Sequence, residues 1–261
     1  MVVSDLGIND LVIGGLFLVI VGSMIWEKRG ELDLDSSIIA KFFGVLLIVS
    51  MLLKLSPDLL RGAPFIFAIA QKSPIASVKV SIFIFAIGLG IIASGFQGLK
   101  QYWQQLIIIF FLSIPPVLLF WLDLSPITAK FSAFLLWCLG FNVYLQNVIL
   151  HTLKGTVEVT KGCGGLIIIN YLLGISVILL IMFPLKRIYN IIVPIMSIII
   201  GFIVNGFRVV LMAVLVGHGQ MQAFDYWHTG DGSLVFTIIA SSIFVAFYFV
   251  LIRYSDVADC N

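Results

Sequence analysis

Charge is what this chain has least of. Only 11% of its 261 residues are Asp, Glu, Lys or Arg, against about 25% in an ordinary soluble domain. A soluble sphere of this size cannot hide 61% hydrophobic residues, because much of a small domain's surface still faces water. With a mean hydropathy of +1.17, the chain reads as an integral membrane protein. That composition excludes a disordered chain and a nucleic-acid binder, and a net charge of +2 names no charged partner. Cysteine is scarce too. Cys138, Cys163 and Cys260 stand at spacings that fit neither a zinc site nor a disulfide framework. His-Glu-x-x-His and Gly-x-Ser-x-Gly are both missing, as are paired aspartates within apolar runs, which argues against metallo-, serine and aspartyl proteases. No internal repeat is visible, and ionisable groups do not recur near the middle of several spans, which speaks against a transporter.

Long apolar runs are what the chain does have. A helix needs about 20 apolar residues to cross a hydrocarbon core of about 30 Å. The windows 8–26, 38–55, 75–97, 103–122, 127–150, 165–185, 188–216 and 233–252 meet that length. A ninth stretch, Gly62–Gln71, is apolar but short, and reads as a half-helix or re-entrant turn buried against protein. Pro115–Pro116 predict a kink in the fourth span. The first span lacks the basic region and small-residue cleavage site of a signal peptide and is expected to stay on the mature protein. The expected fold is all-α: a polytopic transmembrane helical bundle of about eight spans, with Gly62–Gln71 as a short extra segment. One membrane domain fills residues 1–261, and its chemistry is expected within about 151–252.

Basic residues near span ends orient the chain. Lys186–Arg187 and the tail after Arg253 should face the cytoplasm, which puts 217–232 and 151–164 outside. Lys154 and Lys161 count against this assignment. Lys28–Arg29 favour a cytoplasmic first loop, which agrees with the rest only if 57–71 also crosses.

Polar groups at membrane depth are costly, so their positions carry information. They are sparse in the first 150 residues and collect at three places afterwards. The first is Gly155-Thr-Val-Glu158-Val-Thr-Lys161-Gly-Cys163-Gly164-Gly165, entering an apolar helix. A cysteine in a helix's first turn meets the positive end of the macrodipole, which favours a thiolate, and nearby backbone N–H groups can receive an oxyanion. A glycine-rich turn that happens to carry a cysteine is the plain alternative. The second is Asn205-Gly-Phe-Arg208 in the seventh span. Nine largely apolar residues follow Arg208, about 13 Å of helix, and a guanidinium that deep would cost about 2.5–3.5 kcal/mol on insertion scales. It must face a wet cavity or a partner, unless it snorkels to the interface. Asn205 shares its helix face. The third is the loop from His218 to Gly232, containing Asp225, Trp227, His228 and Asp231. His228 is a candidate acid/base, with a solvated loop histidine as the alternative. His218, set between two glycines, ranks below it, and His151 reads as an interface residue. A thiol, a cation and an acid/base on one side of the bilayer are the minimum for acyl transfer through a thioester.

This ordered set resembles the exosortase/archaeosortase superfamily of polytopic transpeptidases. The matching residues are Val157-Glu158…Cys163-Gly164-Gly165, Asn205-Gly206-Phe207-Arg208-Val209 and His228-Thr229-Gly230. The likeness covers most of the chain in architecture and about 155–232 in motif. Histidine at the third position is similar to the bacterial exosortase branch, whereas archaeal relatives typically use a second arginine there, and the compact length is similar to cyanobacterial-type exosortases. Gly164 departs from the small polar residue that many relatives carry after the cysteine.

The resemblance implies Cys163 as nucleophile, Arg208 as stabiliser of the oxyanion and His228 as general acid/base. Glu158, Gly164, Gly165, Asn205 and Asp231 are the candidates for contacting substrate or supporting those three. It implies no cofactor and no metal. It also implies exported substrates with a C-terminal tripartite tail of a PEP-type motif, a transmembrane helix and a basic cluster. The enzyme would sit in the cytoplasmic membrane with its active site facing the exterior. A non-enzymatic scaffold or transporter component of envelope export is the alternative, since it needs only packing surfaces.

Overall fold

The computed structural model describes residues 8–55, 74–113, 122–228 and 232–259. Gly62–Gln71, Pro115–Pro116 and Asp231 lie outside the described residues. The chain divides into two compact units, 1–118 and 119–261.

The first unit contains α1 (Ile8–Glu27), α2 (Ile38–Leu55), α3 (Pro74–Gly98) and α4 (Trp103–Ser113). Helices α2 and α3 pack together, as do α1 and α4. An apolar cavity of about 850 Å³ lies among them, walled by residues such as Leu18, Met51, Phe85 and Ile109.

The second unit contains α5 (Ser125–Cys138), β1 (Tyr144–Gln146), β2 (Ile149–His151) and β3 (Thr156–Glu158). It continues through α6 (Leu166–Met182), α7 (Tyr189–His218), α8 (Met221–His228) and α9 (Gly232–Asp259). The strands form an antiparallel sheet in the order β1-β2-β3, its first turn closed by Asn147 at φ 56°, a left-handed conformation asparagine tolerates.

Helices dominate, as expected, but the fifth expected span is corrected. Residues 127–150 are not one helix: α5 stops at Cys138, and the remainder is a β-hairpin. Composition alone misled here, because Val-Tyr-Leu-Gln-Asn-Val-Ile-Leu is apolar enough for a span while its pattern suits a hairpin around Asn147. Cys138 is exposed at the end of α5. Among the described residues, four helical stretches are long and apolar enough to cross a membrane: 80–113, 161–182, 189–218 and 232–254. The count of about eight is not confirmed among the described residues. Helices α1 and α2 contribute shorter apolar stretches.

Two hydrophobic cores share helix α7. Val193, Ile200 and Val204 pack with Ile168 and Leu172 of α6 and with Ala240, Phe244 and Tyr248 of α9. Val209, Val210, Met212, Ala213 and Val216 pack instead with Ala129 and Leu136 of α5 and with Leu150, Val157 and Val159 of the sheet region. The polar segment Asn205–Arg208 falls in the seam between the two cores. With 30 residues, α7 is about 45 Å long, well beyond a core of about 30 Å. Its last turns are covered by α5 and the sheet. Arg208 stands nineteen residues after Tyr189, about 28 Å along the helix. The apolar residues after Arg208 face a protein core.

Candidate active site

The chain before α6 makes a short 3-10 turn at Lys161–Cys163 and then passes through Gly164 and Gly165. Cys163 therefore precedes the helix instead of lying in its first turn. Gly165 caps α6 at φ +93°, a left-handed geometry that favours glycine. Space forbids a side chain there as well, because a Cβ would lie 2.8 Å from Asn205 Nδ2.

Two buried side chains hold this turn by its carbonyls. Asn205, fully buried on α7, donates from Nδ2 to the Cys163 carbonyl at 2.8 Å. Thr128 on α5 donates from Oγ1 to the Gly164 carbonyl at 3.0 Å. One turn further along α5, Ser132 Oγ donates to the Gly206 carbonyl at 3.3 Å. Gly206 has no room for a Cβ, which would enter the Phe131 ring. Each of these contacts fixes backbone within or beside the polar seam of α7, so the sulfur's position is set by a hydrogen-bonded frame.

Helix α8 brings the imidazole. His228 Nε2 lies 3.4 Å from Cys163 Sγ, within hydrogen-bonding reach of sulfur. The ring stacks on Phe224, one turn earlier, with centroids 5.0 Å apart and planes 24° from parallel. Arg208 ties the end of α8 down, since its Nη2 donates to the His228 carbonyl at 2.9 Å. Its Nε is buried without a hydrogen-bond partner among the described residues. His228 holds its proton less tightly than a free histidine: desolvation is the main cause, the Arg208 charge adds to it, and Asp225 opposes both.

The structure thus brings Cys163, His228, Arg208, Asn205, Gly164 and Gly165 to one place in the second unit. Glu158 is not joined to them. It ends β3 with an exposed side chain, and among the described residues no hydrogen bond links it to Cys163, Arg208 or His228. His218 is exposed and near Phe141, and His151 lies in β2; neither has a hydrogen bond to Cys163 among the described residues. Sequence reading missed Thr128, Ser132 and Phe224, and named Asp225 without giving it a role. Ser125, Thr128 and Ser132 recur at helical spacing and are all buried, but nothing in the sequence ties that stripe to the turn at Cys163. Among the described residues no group of three or more His, Cys, Asp or Glu side chains converges, so no metal-ligand set can be named.

A cysteine, a histidine within reach of its sulfur, and an arginine bonded to that histidine's backbone have the arrangement that a nucleophile–base pair with a nearby cation requires. The transmembrane exosortase family model matches residues 8–245. The chain belongs to the transmembrane exosortase family. Membership suggests a membrane transpeptidase or protease, and embedded action on exported proteins. This exosortase matches no curated protein and no solved structure.

Proposed function

We propose that this exosortase is a membrane-embedded cysteine transpeptidase. The separation of 3.4 Å between Cys163 Sγ and His228 Nε2 carries the reading. The Cys163 thiol passes its proton to His228 as sulfur attacks the substrate's carbonyl carbon. Arg208 stabilises the oxyanion that forms. When the intermediate collapses, the C–N bond breaks and the departing amine takes the proton from His228. The new carboxyl end remains on sulfur as a thioester. An acceptor nucleophile then loses a proton to His228, attacks the thioester carbonyl, and expels sulfur, which recovers a proton.

The substrates in this reading are exported proteins with a C-terminal tripartite sorting tail. In this reading the site opens on the exterior face of the cytoplasmic membrane, and histidine at position 228 favours the bacterial branch. A substrate anchored in the same bilayer gains effective concentration. The test is to trap the intermediate. With wild-type protein given substrate without acceptor and quenched in acid, mass spectrometry should find Cys163 carrying a substrate-derived carboxyl end. Cleaved substrate with no such adduct on Cys163 would overturn the proposal.

The pH dependence follows from the neighbours of His228. A histidine held below its ordinary 6.5 stays neutral, and so competent as a base, to lower pH. The acid limb of the pH–rate profile should therefore lie below pH 6.5. Asp225 favours the protonated ring, so Asp225→Asn should move that limb lower still. Cleavage rates of wild type and variant across pH 4–8 check the sign.

A further inference from the structure

Among the described residues, β3, the strand that precedes the Cys163 turn, is paired along one edge and open along the other. β3 pairs with β2 on one side only, with Glu158 opposite Ile149, Val157 opposite Leu150 and Thr156 opposite His151. Val159 N–H donates to the Val148 carbonyl at 2.9 Å, and Thr152 N–H to the Gly155 carbonyl at 2.8 Å. Those bonds identify 155, 157 and 159 as the residues whose backbone groups face β2. By the alternation of an antiparallel ladder, the N–H and C=O of Thr156 and the N–H of Glu158 face the other way; the Glu158 carbonyl turns to Thr160 N–H at 3.1 Å.

This edge is accessible and leads to the sulfur. From Thr156 to Gly162 only Val157 and Val159 are buried, and the strand runs on through Thr160 into the turn that carries Cys163. The core beneath β3 also takes in Cys163, Phe224 and Trp227, so the strand and the Cys163–His228 pair stand on one base. A long exposed edge invites wrong pairing and is usually blunted. Here it is three residues long and the chain reaches Cys163 five residues further on, which suits recognition of one extended chain.

We infer that the free edge of β3 docks the substrate polypeptide as an added antiparallel or parallel strand, which delivers its scissile carbonyl to Cys163. The inference rests on the cysteine-peptidase reading and adds how the substrate is held. Main-chain bonds to Thr156 and Glu158 would grip a backbone largely irrespective of side chains. They also require the segment to be extended, because a helical segment's amides are already paired with its own carbonyls.

N-methyl scanning tests it. Peptide substrates carrying one N-methyl amide at each successive position before the cleavage point are offered to the full-length protein in nanodiscs. Strand docking predicts a period of two: kcat/KM falls about tenfold, the equivalent of one main-chain hydrogen bond, at alternate positions and changes little between them. Thr156→Pro removes one outward N–H at an edge that can accept proline and should weaken binding, seen in KM more than kcat, while leaving Cys163 able to react with a small alkylating agent. Cleavage without alternation overturns strand docking and leaves the cysteine reading standing. Alternation with KM unchanged in Thr156→Pro overturns β3 as the place. Absence of any Cys163-dependent cleavage overturns both.

Discussion

Cys163→Ala is expected to abolish processing of a C-terminally tagged exported substrate, a loss of at least about 10³-fold, while the protein accumulates and inserts as wild type does. The structural cost is small, because Cys163 is half-buried and the change removes one heavy atom, about 1 kcal/mol if it were fully buried. The frame around the position survives, since Asn205 grips the residue's carbonyl and Gly164 and Gly165 are untouched. Cys163→Ser should be nearly as inactive. A histidine that binds its proton less tightly than usual is a poor base for an alcohol, whereas free thiols titrate near 8.5 and yield their proton far more easily. Pulse-labelled substrate, followed for loss of its C-terminal tag, checks both variants. Unchanged processing in Cys163→Ala would favour the scaffold reading.

How much of this was legible beforehand depends on what each residue's neighbours were. Cys163, Arg208 and His228 could be read because each is chemically out of place: a sulfur among glycines, a guanidinium in an apolar run, an imidazole at the end of a polar loop. Asn205 could be read from its position three residues before Arg208. The frame that holds them could not. Thr128 and Ser132 act through hydroxyls on carbonyls of Gly164 and Gly206, contacts 36 and 74 residues away in the chain, and an isolated threonine in an apolar helix carries no such signal. The hairpin at 144–151 was hidden for a different reason. Hydropathy counts apolar atoms and is blind to whether lipid or another protein layer covers them. The same blindness applies to the turns after Arg208. Once Val209, Val210, Met212 and Val216 are seen against Leu150 and Val157, the apolar turns after Arg208 require no lipid around them.

Arg208→Lys is expected to keep the charge and still lose about 10²-fold in kcat, with KM changed much less. The guanidinium does two things that an ammonium on a flexible stem does not do together. Nη2 anchors the His228 carbonyl at 2.9 Å, which fixes the end of α8 and hence the ring that faces Cys163. Its remaining N–H groups are left over for an oxygen that appears only during reaction, and Nε in particular is buried without a partner among the described residues. An unpaired buried donor is costly at rest, so a group that bonds it only in the transition state gains more than it would in water. Lysine can restore one contact or the other but not the planar fork. Arg208→Ala removes both and should cost about 10³-fold, with the His228 acid limb moving up towards pH 6.5 as the opposing charge disappears. That shift separates an electrostatic role from simple loss of packing, because a merely structural arginine would lower the amount of folded protein and leave the limb where it was. Equal kcat values in wild type and Arg208→Lys would remove Arg208 from the chemistry and leave it as an anchor for α8.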